Sequence, residues 1–374
     1  MLIADGGMVS DPNTYPERAS KNHRPRVHTW LGYLVVLLAF TGVHIRAQDV
    51  HLYQGDRRGR DVFLGGISPT NLTIGGKFEV EYAYEREGEE SESQLAVDKL
   101  ELRLRADLGE GIRLNTEVEW ENGSEPETEL DKVFLEVSRD DWLPFSLEAG
   151  RTDVLFGEYE SHLIEDSLSQ ELGETKRICL QAIGEFEKAG DWEWSASWIA
   201  GRMDGGHQAD TFALSLRHEP LEDLTWGISW MSDLGQSDEL LELREEERSP
   251  AESKGDGAVQ AANAFFVCEQ DRWGCSLEGV VALSEFGPGI LDEEQGRTPS
   301  TWSAEGWLVP LAGWELVGRI EGASDFPGAP AERYGVGLVH RLTKHLTVAA
   351  DAHTGKLDSG ESFDTVIVEA AIRF

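Results

Sequence analysis

The residue types that most often perform catalysis are present, but they form no recognised catalytic motif. The sequence has no Gly-x-Ser-x-Gly, no His-Glu-x-x-His and no phosphate-binding loop, and Gly335-Val336-Gly337 lacks the third glycine of a dinucleotide-binding turn. His162, His207 and several serines fall in predicted loops, where a Ser/His pair acting on lipid could form. Histidines in loops are more often solvated bystanders, so the sequence predicts no enzyme and no cofactor.

Two of the three cysteines could form a disulfide. Cys268 and Cys275 flank a short turn at Asp271-Arg272, so in a hairpin they lie directly opposite each other on one face. A cross-strand disulfide in an oxidising compartment and a pair of unbonded thiols are both compatible with this spacing. Cys179 has no evident partner. Because no histidine lies at ligand spacing from these thiols, the sequence predicts no metal site.

The charge of the chain excludes one class of partner. The 374 residues include 70 Asp and Glu but only 33 Lys and Arg, for a formal net charge of −37. Binding to nucleic acid needs a basic surface to neutralise phosphates, so we expect no nucleic-acid partner.

One apolar stretch near the N-terminus has the features of an export signal. Trp30–Ile45 is apolar, follows a basic patch with Lys21, Arg24 and Arg26, and precedes Ala47. We expect cleavage after Ala47, with an uncleaved anchor as the alternative. The predicted organisation is then an N-terminal extension plus signal peptide over 1–47, a short periplasmic segment over 48–70 and a membrane domain over 71–374.

The rest of the sequence alternates between apolar and polar residues. Leu100, Leu102 and Leu104, for example, alternate with Glu101 and Arg103. A period of two predicts strands with one apolar and one polar face. Sixteen such segments can be counted between residues 72 and 374. We therefore predict an all-β fold, a transmembrane antiparallel up-and-down β-barrel of about 16 strands.

The predicted connections alternate in length, which favours the barrel over a soluble β-sandwich. Turns such as 108–111, 220–223 and 270–272 are short, whereas 157–175, 233–257 and 286–299 are long and acidic. An even-stranded outer-membrane barrel has long outer loops and short periplasmic turns. A sandwich has no reason to alternate in this way.

The polar face of each predicted strand should line the lumen. The predicted pore-lining residues are Arg103, Arg105, Arg113, Glu117, Glu119, Arg177, Arg217, Arg319, Glu321, Arg341 and Arg373. The same register places Glu278, Glu305, Glu315 and Asp351 on this face. Acidic side chains outnumber basic ones here and in the loops, which favours passage of cations over anions.

The third long connection is a candidate constriction. It leaves a strand near Gly150 and shows no clear alternation until Arg177. In sixteen-stranded porins the third outer loop commonly folds into the lumen. The predicted constriction residues are Arg151, Glu158, Glu160, His162, Asp166, Glu171 and Glu174. The alternative is a plain surface loop or a short helix on the rim.

Two stretches resemble the LbtU family of siderophore porins. The first carries Gly150-Arg151, Phe156-Gly157, Tyr159-Glu160, His162, Asp166, Leu168 and Glu171-Leu172-Gly173-Glu174-Thr175, and the second runs from Gly65-Gly66-Ile67-Ser68-Pro69 to Glu79-Val80-Glu81. This resemblance implies uptake of ferric siderophore through an outer-membrane barrel without a large plug domain. The last strand ends in alternating register at Phe374, and this resembles the C-terminal signal recognised by the barrel-assembly machinery.

Together these features predict a passive channel for small solutes in the bacterial outer membrane. Ferric siderophore is the specific candidate from the resemblance, and a general cation-preferring porin is the alternative from the charges. A lipid hydrolase is the third hypothesis. The expected partners are outer-membrane lipid and lipopolysaccharide, the assembly machinery, a small-molecule solute and two further copies of the chain in a homotrimer.

Overall fold

The computed structural model describes residues 71–374 except 89, 123–126, 139–143, 188–189, 204–205, 248–257, 292–294 and 358. The predicted signal peptide and the segment 48–70 lie outside the described residues. In the part of the chain that is described, no helix has the length and apolar character needed to cross a membrane.

Sixteen strands form one closed antiparallel barrel in which each strand pairs with its sequence neighbours and β1 pairs with β16. This confirms the predicted fold. The strands are β1 Asn71–Glu87, β2 Glu90–Gly109, β3 Ile112–Glu121, β4 Glu127–Val137, β5 Ser146–Asp153, β6 Lys176–Glu187, β7 Asp191–Met203, β8 Gly206–Leu221, β9 Leu224–Met231, β10 Ala261–Gln270, β11 Trp273–Ala282, β12 Ser300–Leu311, β13 Trp314–Ser324, β14 Pro330–Arg341, β15 Leu346–Leu357 and β16 Ser362–Arg373. Two helices, α1 Leu168–Gly173 and α2 Asp238–Glu247, and a 3-10 turn at Leu234–Gln236 lie in the connections.

The alternation in the sequence becomes an outward apolar face and an inward polar face. On β13, Leu316 and Ile320 are nearly half exposed, whereas Glu315, Arg319 and Glu321 between and beside them are buried. In a closed barrel the buried face is the interior. Polar side chains therefore lie inside and apolar side chains outside, which is the reverse of a soluble protein.

The ends of the sheet meet at a site that only glycine fits. The amide of Gly76 donates to the carbonyl of Phe374 at 3.0 Å, and the amide of Phe374 donates back at 3.1 Å. A Cβ on Gly76 would lie 2.6 Å from the Glu101 carbonyl and 2.7 Å from the Phe374 ring. Closure of the barrel thus depends on a close approach of backbone to an aromatic ring.

The two ends of the barrel differ in their connections. At one end, here the short-turn end, β2 joins β3, β10 joins β11 and β12 joins β13 through tight turns such as 271–272 and 312–313. At the other, here the long-loop end, most of the length is in three connections, residues 154–175, 232–260 and 283–299.

The acidic run from Glu85 to Glu92 extends the first hairpin instead of forming a loop. Glu85 pairs with Glu92 and Glu87 with Glu90. Like charges opposite each other disfavour pairing, but these side chains are exposed and water screens their repulsion.

Candidate functional site

Loop 3, defined as residues 154–175 between β5 and β6, lies inside the barrel. Its side chains and backbone contact inward residues of β11, β12, β13, β14 and β15. These strands lie far from β5 and β6 in the order of the barrel, and the contacting residues are on the buried face. The loop can reach them only by crossing the interior, so it is neither a plain surface loop nor a rim helix.

Inward carboxylates hold the backbone of loop 3. Glu278 accepts hydrogen bonds from the amides of Glu158 at 3.0 Å and Tyr159 at 3.1 Å. Glu305 accepts from the His162 amide at 2.9 Å. Further along, Glu321 accepts from the Leu168 amide at 2.8 Å, and Asp351 accepts from the Ile164 amide. Irregular backbone inside a barrel needs such partners because buried amides without them are costly.

Two buried arginines bind the middle of the loop. Arg319 and Arg333 both donate to the Asp166 carbonyl, at 3.0 and 2.6 Å. Both also donate to the Glu321 carboxylate, at 2.9 and 2.6 Å. Arg333 reaches Glu165 on the loop at 2.5 Å as well. Hydrogen bonds between ionised groups are stronger than neutral ones, so this network is the main polar anchor of loop 3.

His162 binds the wall through its ring. Its Nδ1 lies 2.5 Å from a Glu315 oxygen, and the ring stacks on Trp307 with centroids 4.0 Å apart. Burial acts to lower the pKa of His162, but the hydrogen bond and charge of Glu315 outweigh it, so the pKa lies above its ordinary value. The ring is directed into the barrel, away from the outward face. The side chain of His207 lies outside the described residues.

Burial also shifts the carboxylic acids of the loop. It raises the pKa of Glu158 to about 7, in spite of Arg217 at 3.2 Å, and the pKa of Glu171 to about 7, in spite of Arg333 at 3.2 Å. The same cause raises the pKa of Asp166. Loop 3 therefore carries acidic groups that gain or lose protons near neutral pH.

An apolar core covers the loop at the long-loop end. Helix α1 starts at Ser167, whose hydroxyl accepts from the Gln170 amide at 3.1 Å, and it buries Leu168 and Leu172 completely. The core combines loop 3, the wall and the other two long connections, and its buried members include Phe156, Leu168, Leu172, Ile199, Met231, Leu234, Leu240, Val259, Val280 and Phe286. Three connections thus pack together inside the barrel.

The Tyr159 ring requires two glycines of the loop. A Cβ on Gly157 would lie 2.4 Å from this ring, and a Cβ on Gly173 would lie 1.8 Å from its hydroxyl oxygen. Gly157 also has φ +116°, a conformation that other residues rarely adopt. These glycines therefore allow the start of loop 3 to fold against its own helix.

The inward face of β16 and β1–β4, here the charged side, is different. Its side chains form ion pairs along the wall, such as Lys77 with Glu79 at 2.5 Å and Lys99 with Glu119 at 2.7 Å. The arginines remain accessible, with the Arg103 side chain 62% and the Arg113 side chain 37% exposed, whereas Glu79 and Glu101 are buried between the basic side chains. Charged groups that are paired yet accessible are typical of a wall in contact with water.

Three carboxylates on the charged side, Glu101, Glu117 and Glu119, have oxygens within 4.8 Å of one another. Oxygens this close could hold a cation. However, Arg103 already pairs with Glu101 and with Glu117, and Lys99 pairs with Glu119. Side-chain cations thus already neutralise this cluster.

Like charges also face each other across neighbouring strands on this side. Lys77 pairs with Arg373 in the sheet near the short-turn end, where Arg105 also lies. Farther toward the long-loop end, Glu81 pairs with Glu369.

The predicted residues occupy several different environments. Five of the predicted loop residues lie inside the barrel: Glu158, His162, Asp166, Glu171 and Glu174. The Glu174 carboxylate accepts a hydrogen bond from the Gln170 amide side chain at 3.0 Å. Glu160 is exposed. Arg151 was predicted in the loop, but β5 continues to Asp153 and includes it. Arg151 pairs in the sheet with Ile178, whose side chain is on the outward face of the barrel, so Arg151 does not point into the lumen.

The predicted pore-lining residues all share the inward register of their strands: Arg103, Arg105, Arg113, Glu117, Glu119, Arg177, Arg217, Arg319, Glu321, Arg341 and Arg373. They do not share one role in the structure. Arg319 and Glu321 are buried against loop 3, whereas Arg103 and Arg341 are mainly exposed.

Sequence analysis missed Glu165 in loop 3 and, on the wall beside it, Arg333 and His353. The alternation Arg333, Gly335, Gly337 on β14 and Asp351, His353 on β15 contained the signal for the two wall residues. Glu278, Glu305, Glu315 and Asp351 were placed inward, but their contacts with loop 3 were not predicted.

The register around the two cysteines is as predicted. Cys268 lies directly opposite Cys275 in the β10–β11 hairpin, on the outward face beside Leu277 and Phe266. Both carry free thiols in this structure. The disulfide remains a prediction.

Comparison with known proteins shows the fold. No protein-family model and no curated protein sequence matches the chain. Solved structures do match. The outer membrane channel DcaP of Acinetobacter baumannii has a TM-score of 0.57 at 11% identity, covering 81% of this chain and 97% of that one. OmpF of Salmonella typhi, solved in complex with daunomycin, has a TM-score of 0.58 at 8% identity, with 81% and 98% covered.

A third match is a loop-deletion mutant of OmpT, an outer membrane protein of Vibrio cholerae, with a TM-score of 0.52 at 10% identity and coverage of 81% and 99%. This chain shares the porin-type barrel. At such low identity the likeness establishes the architecture, and function has to be argued from the site.

Proposed function

We propose that this protein is a passive diffusion channel of a bacterial outer membrane, with loop 3 as its constriction. The observation that carries this proposal is the position of loop 3, which crosses the barrel and packs against one side while leaving the charged side accessible. A barrel without a route for solutes would have no need of an accessible, ion-paired inner wall. No chemistry and no cofactor are part of the proposal.

The route for solutes runs along the charged side. It passes the wall residues Arg103, Arg105, Arg113, Glu117, Glu119 and Arg373 of the charged side, the exposed Arg341 at the end of β14, and the acidic loop residues Glu158, Glu171 and Glu174. Arg217, Arg319 and Glu321 contact the loop from the opposite side, and Arg177 binds Asp238 in the connection between β9 and β10. Loop 3 contains six acidic residues and no Lys or Arg, and the other long connections are acidic as well, so the channel prefers cations.

Ferric siderophore is the more specific candidate, and it rests on the resemblance of loop 3 to the LbtU family. A negatively charged chelate would be repelled by an acidic wall, so the charges favour small cations. The arginines of this wall, such as Arg105 and Arg373, are groups that an anionic chelate could contact.

The cellular setting follows from the same proposal. The outward face of Leu, Ile, Trp and Phe contacts the lipid of the outer membrane, with lipopolysaccharide around the long-loop end. The signal peptide ending at Ala47 exports the chain, and Phe374 presents it to the barrel-assembly machinery. One of the similar structures is described as a trimer form, which supports a homotrimer here.

Single-channel recording in planar bilayers tests the proposal, using protein purified from outer membranes. We expect steady conductance and, under a KCl gradient, a reversal potential that shows preference for potassium. The double variant Glu117→Gln/Glu119→Gln should reduce this preference, whereas Glu160→Gln, at an exposed position, should leave it unchanged.

A folded barrel that conducts no ions would contradict the channel. Block of the current by micromolar ferric siderophore, with no block by the iron-free ligand, would establish the siderophore function in place of the general cation channel.

A further inference from the structure

Where loop 3 meets β15, three potential metal ligands converge. The Nε2 atom of His353 lies 3.4 Å from a Glu165 carboxylate oxygen and 3.8 Å from an Asp351 carboxylate oxygen. The side chains of His353 and Asp351 are completely buried. Glu165 comes from loop 3, and the other two residues come from the wall.

These side chains do not satisfy one another. Among the described residues, the Glu165 Oε2, the Asp351 Oδ1 and both ring nitrogens of His353 have no hydrogen-bond partner. The 3.8 Å between His353 and Asp351 is too long for a hydrogen bond, and the 3.4 Å between His353 and Glu165 is at the limit. Each buried polar atom left without a partner destabilises the folded state. Four such atoms in one place indicate that something else binds there.

The carboxylates around the cluster also outnumber the buried cations. Arg319 and Arg333 are the buried cations of the loop 3 network, whereas Glu165, Glu171, Glu305, Glu315, Glu321 and Asp351 supply six carboxylates within it. A protonated His162 and a protonated Glu171 would reduce this excess without removing it. Uncompensated buried charges destabilise the folded state. A further cation is therefore electrostatically favoured at this position.

We propose that Glu165, Asp351 and His353 bind one divalent transition-metal ion. One imidazole nitrogen and two carboxylate oxygens suit Zn²⁺, Mn²⁺ or Fe²⁺ better than Ca²⁺ or Mg²⁺, which take oxygen ligands. Atoms bound to a tetrahedral ion at about 2.1 Å lie roughly 3.4 Å apart. This is the observed separation of His353 from Glu165, whereas the Asp351 and Glu165 carboxylates have to turn toward each other for all three ligand atoms to reach one ion.

The neighbouring strand holds two of these ligands in place. A Cβ on Gly335 would lie 2.8 Å from the His353 ring, and a Cβ on Gly337 would lie 2.5 Å from the Asp351 carboxylate. The glycines therefore make the space into which both side chains fit. The Ile164 amide donates to Asp351, and Arg333 binds the other oxygen of Glu165. Such outer contacts orient the ligands of metal sites.

The ion connects loop 3 to the barrel wall, so its binding stabilises the inward position of the loop. This inference does not depend on the proposed channel function, because metal binding can be measured on the folded barrel whether or not it conducts.

The experiment is titration of the metal-stripped, detergent-solubilised barrel with Zn²⁺ alone and with Mn²⁺ alone, followed by equilibrium dialysis and elemental analysis. We expect one ion per chain, and at least a tenfold loss of affinity in His353→Gln and in Glu165→Gln. Heat-dependent mobility in gels shows that each variant is folded. If His353→Gln does not fold, Glu165→Gln tests the site alone, because Glu165 is in the loop and not in the sheet.

Two controls separate this site from others. Glu117→Gln, in the acidic cluster of the charged side, should retain the ion, and so should His340→Gln at the short-turn end. Pulsed electron paramagnetic resonance of the bound Mn²⁺ should show coupling to the imidazole nitrogen of His353 in the wild type. This coupling should be absent from His353→Gln. Absence of a stoichiometric ion in the wild type, or equal affinity in Glu165→Gln, would overturn the proposal.

Discussion

The two sides of the barrel interior are built from the same alternating strands, yet one is packed and the other is accessible to water. On the packed side, β6–β15, many inward residues are small, such as Ser195, Ser197, Ala213 and Gly335. Small side chains leave room for loop 3 and for the two connections that cover it. On the charged side, long Lys, Arg and Glu side chains occupy the same positions and pair with one another.

This difference shows that the size of inward side chains decides where an internal loop can lie. Alternation alone predicts a barrel, because it separates the two faces. The volume left on the inward face then determines whether that face packs against protein or remains hydrated.

Removal of the Arg333 charge, the main polar anchor of loop 3, should have the largest effect on the stability of the packed side. In Arg333→Met, the carboxylates of Glu165 and Glu171 lose their buried cation, and Glu321 keeps only Arg319. Breaking one partner of a buried ion pair costs about 3–5 kcal/mol. We expect loop 3 to become sensitive to protease and the conductance to rise. Arg105→Met, on the charged side, should change stability by less than about 0.5 kcal/mol.

Equal destabilisation by Arg333→Met and Arg105→Met in thermal unfolding would show that the two sides are not distinct. The comparison would then have to be abandoned.

A cavity in the apolar core should have the next largest effect. Leu168 is fully buried on α1 and contacts no water. Leu168→Ala should lower the free energy of unfolding by about 2–5 kcal/mol, as for other buried leucines. The matched control is Leu316→Ala on the outward face, where the side chain is 46% exposed. Differential scanning calorimetry in one detergent measures both, and a similar loss in the control would be evidence against an internal core.

The attachment of loop 3 should depend on pH through Glu158. Burial raises the pKa of Glu158 to about 7 from an ordinary value of 4.5. A group whose pKa is raised in the folded state contributes stability that is complete below its unfolded value and is lost as pH rises through the folded value. We therefore expect loop 3 to be held more tightly at pH 5 than at pH 8.5, by about 1–3 kcal/mol.

Hydrogen exchange of the loop 3 amides at the two pH values measures this effect. Glu158→Gln should reduce the pH dependence, whereas Glu160→Gln, its exposed neighbour, should not. A pH dependence that persists unchanged in Glu158→Gln would assign it to other groups, with Glu171 and His162 the next to test.

The smallest effect is expected from oxidation of the two cysteines on the outward face of the barrel. Cys268 and Cys275 are direct partners on the outward face, so oxidation should join them without moving the interior. Thiol titration of protein purified from the outer membrane should find one free thiol per chain, that of the buried Cys179, and three after reduction. Conductance should be the same in both states. Three free thiols before reduction would show that the pair is not oxidised.

The fold was largely predictable from sequence, and the loop 3 site only partly. Sixteen strands, the Cys268–Cys275 register and a long third connection all follow from local patterns, which the sequence records directly. The contacts of Glu278 with Tyr159 and of Asp351 with Ile164 join residues more than a hundred positions apart. No local pattern encodes such pairs, and Arg151 was misplaced because a strand end is the least defined part of an alternating pattern.

The pairing of β1 with β16 has a consequence for the order of folding in time. One edge of β1 pairs with β2 within a single hairpin, but its other edge pairs with residues near the opposite end of the sequence, as Lys77 does with Arg373. Contacts this distant in sequence form slowly, because a long segment loses its freedom before they are made. Closure is therefore the last step, and two unpaired strand edges remain open to other chains until β16 arrives.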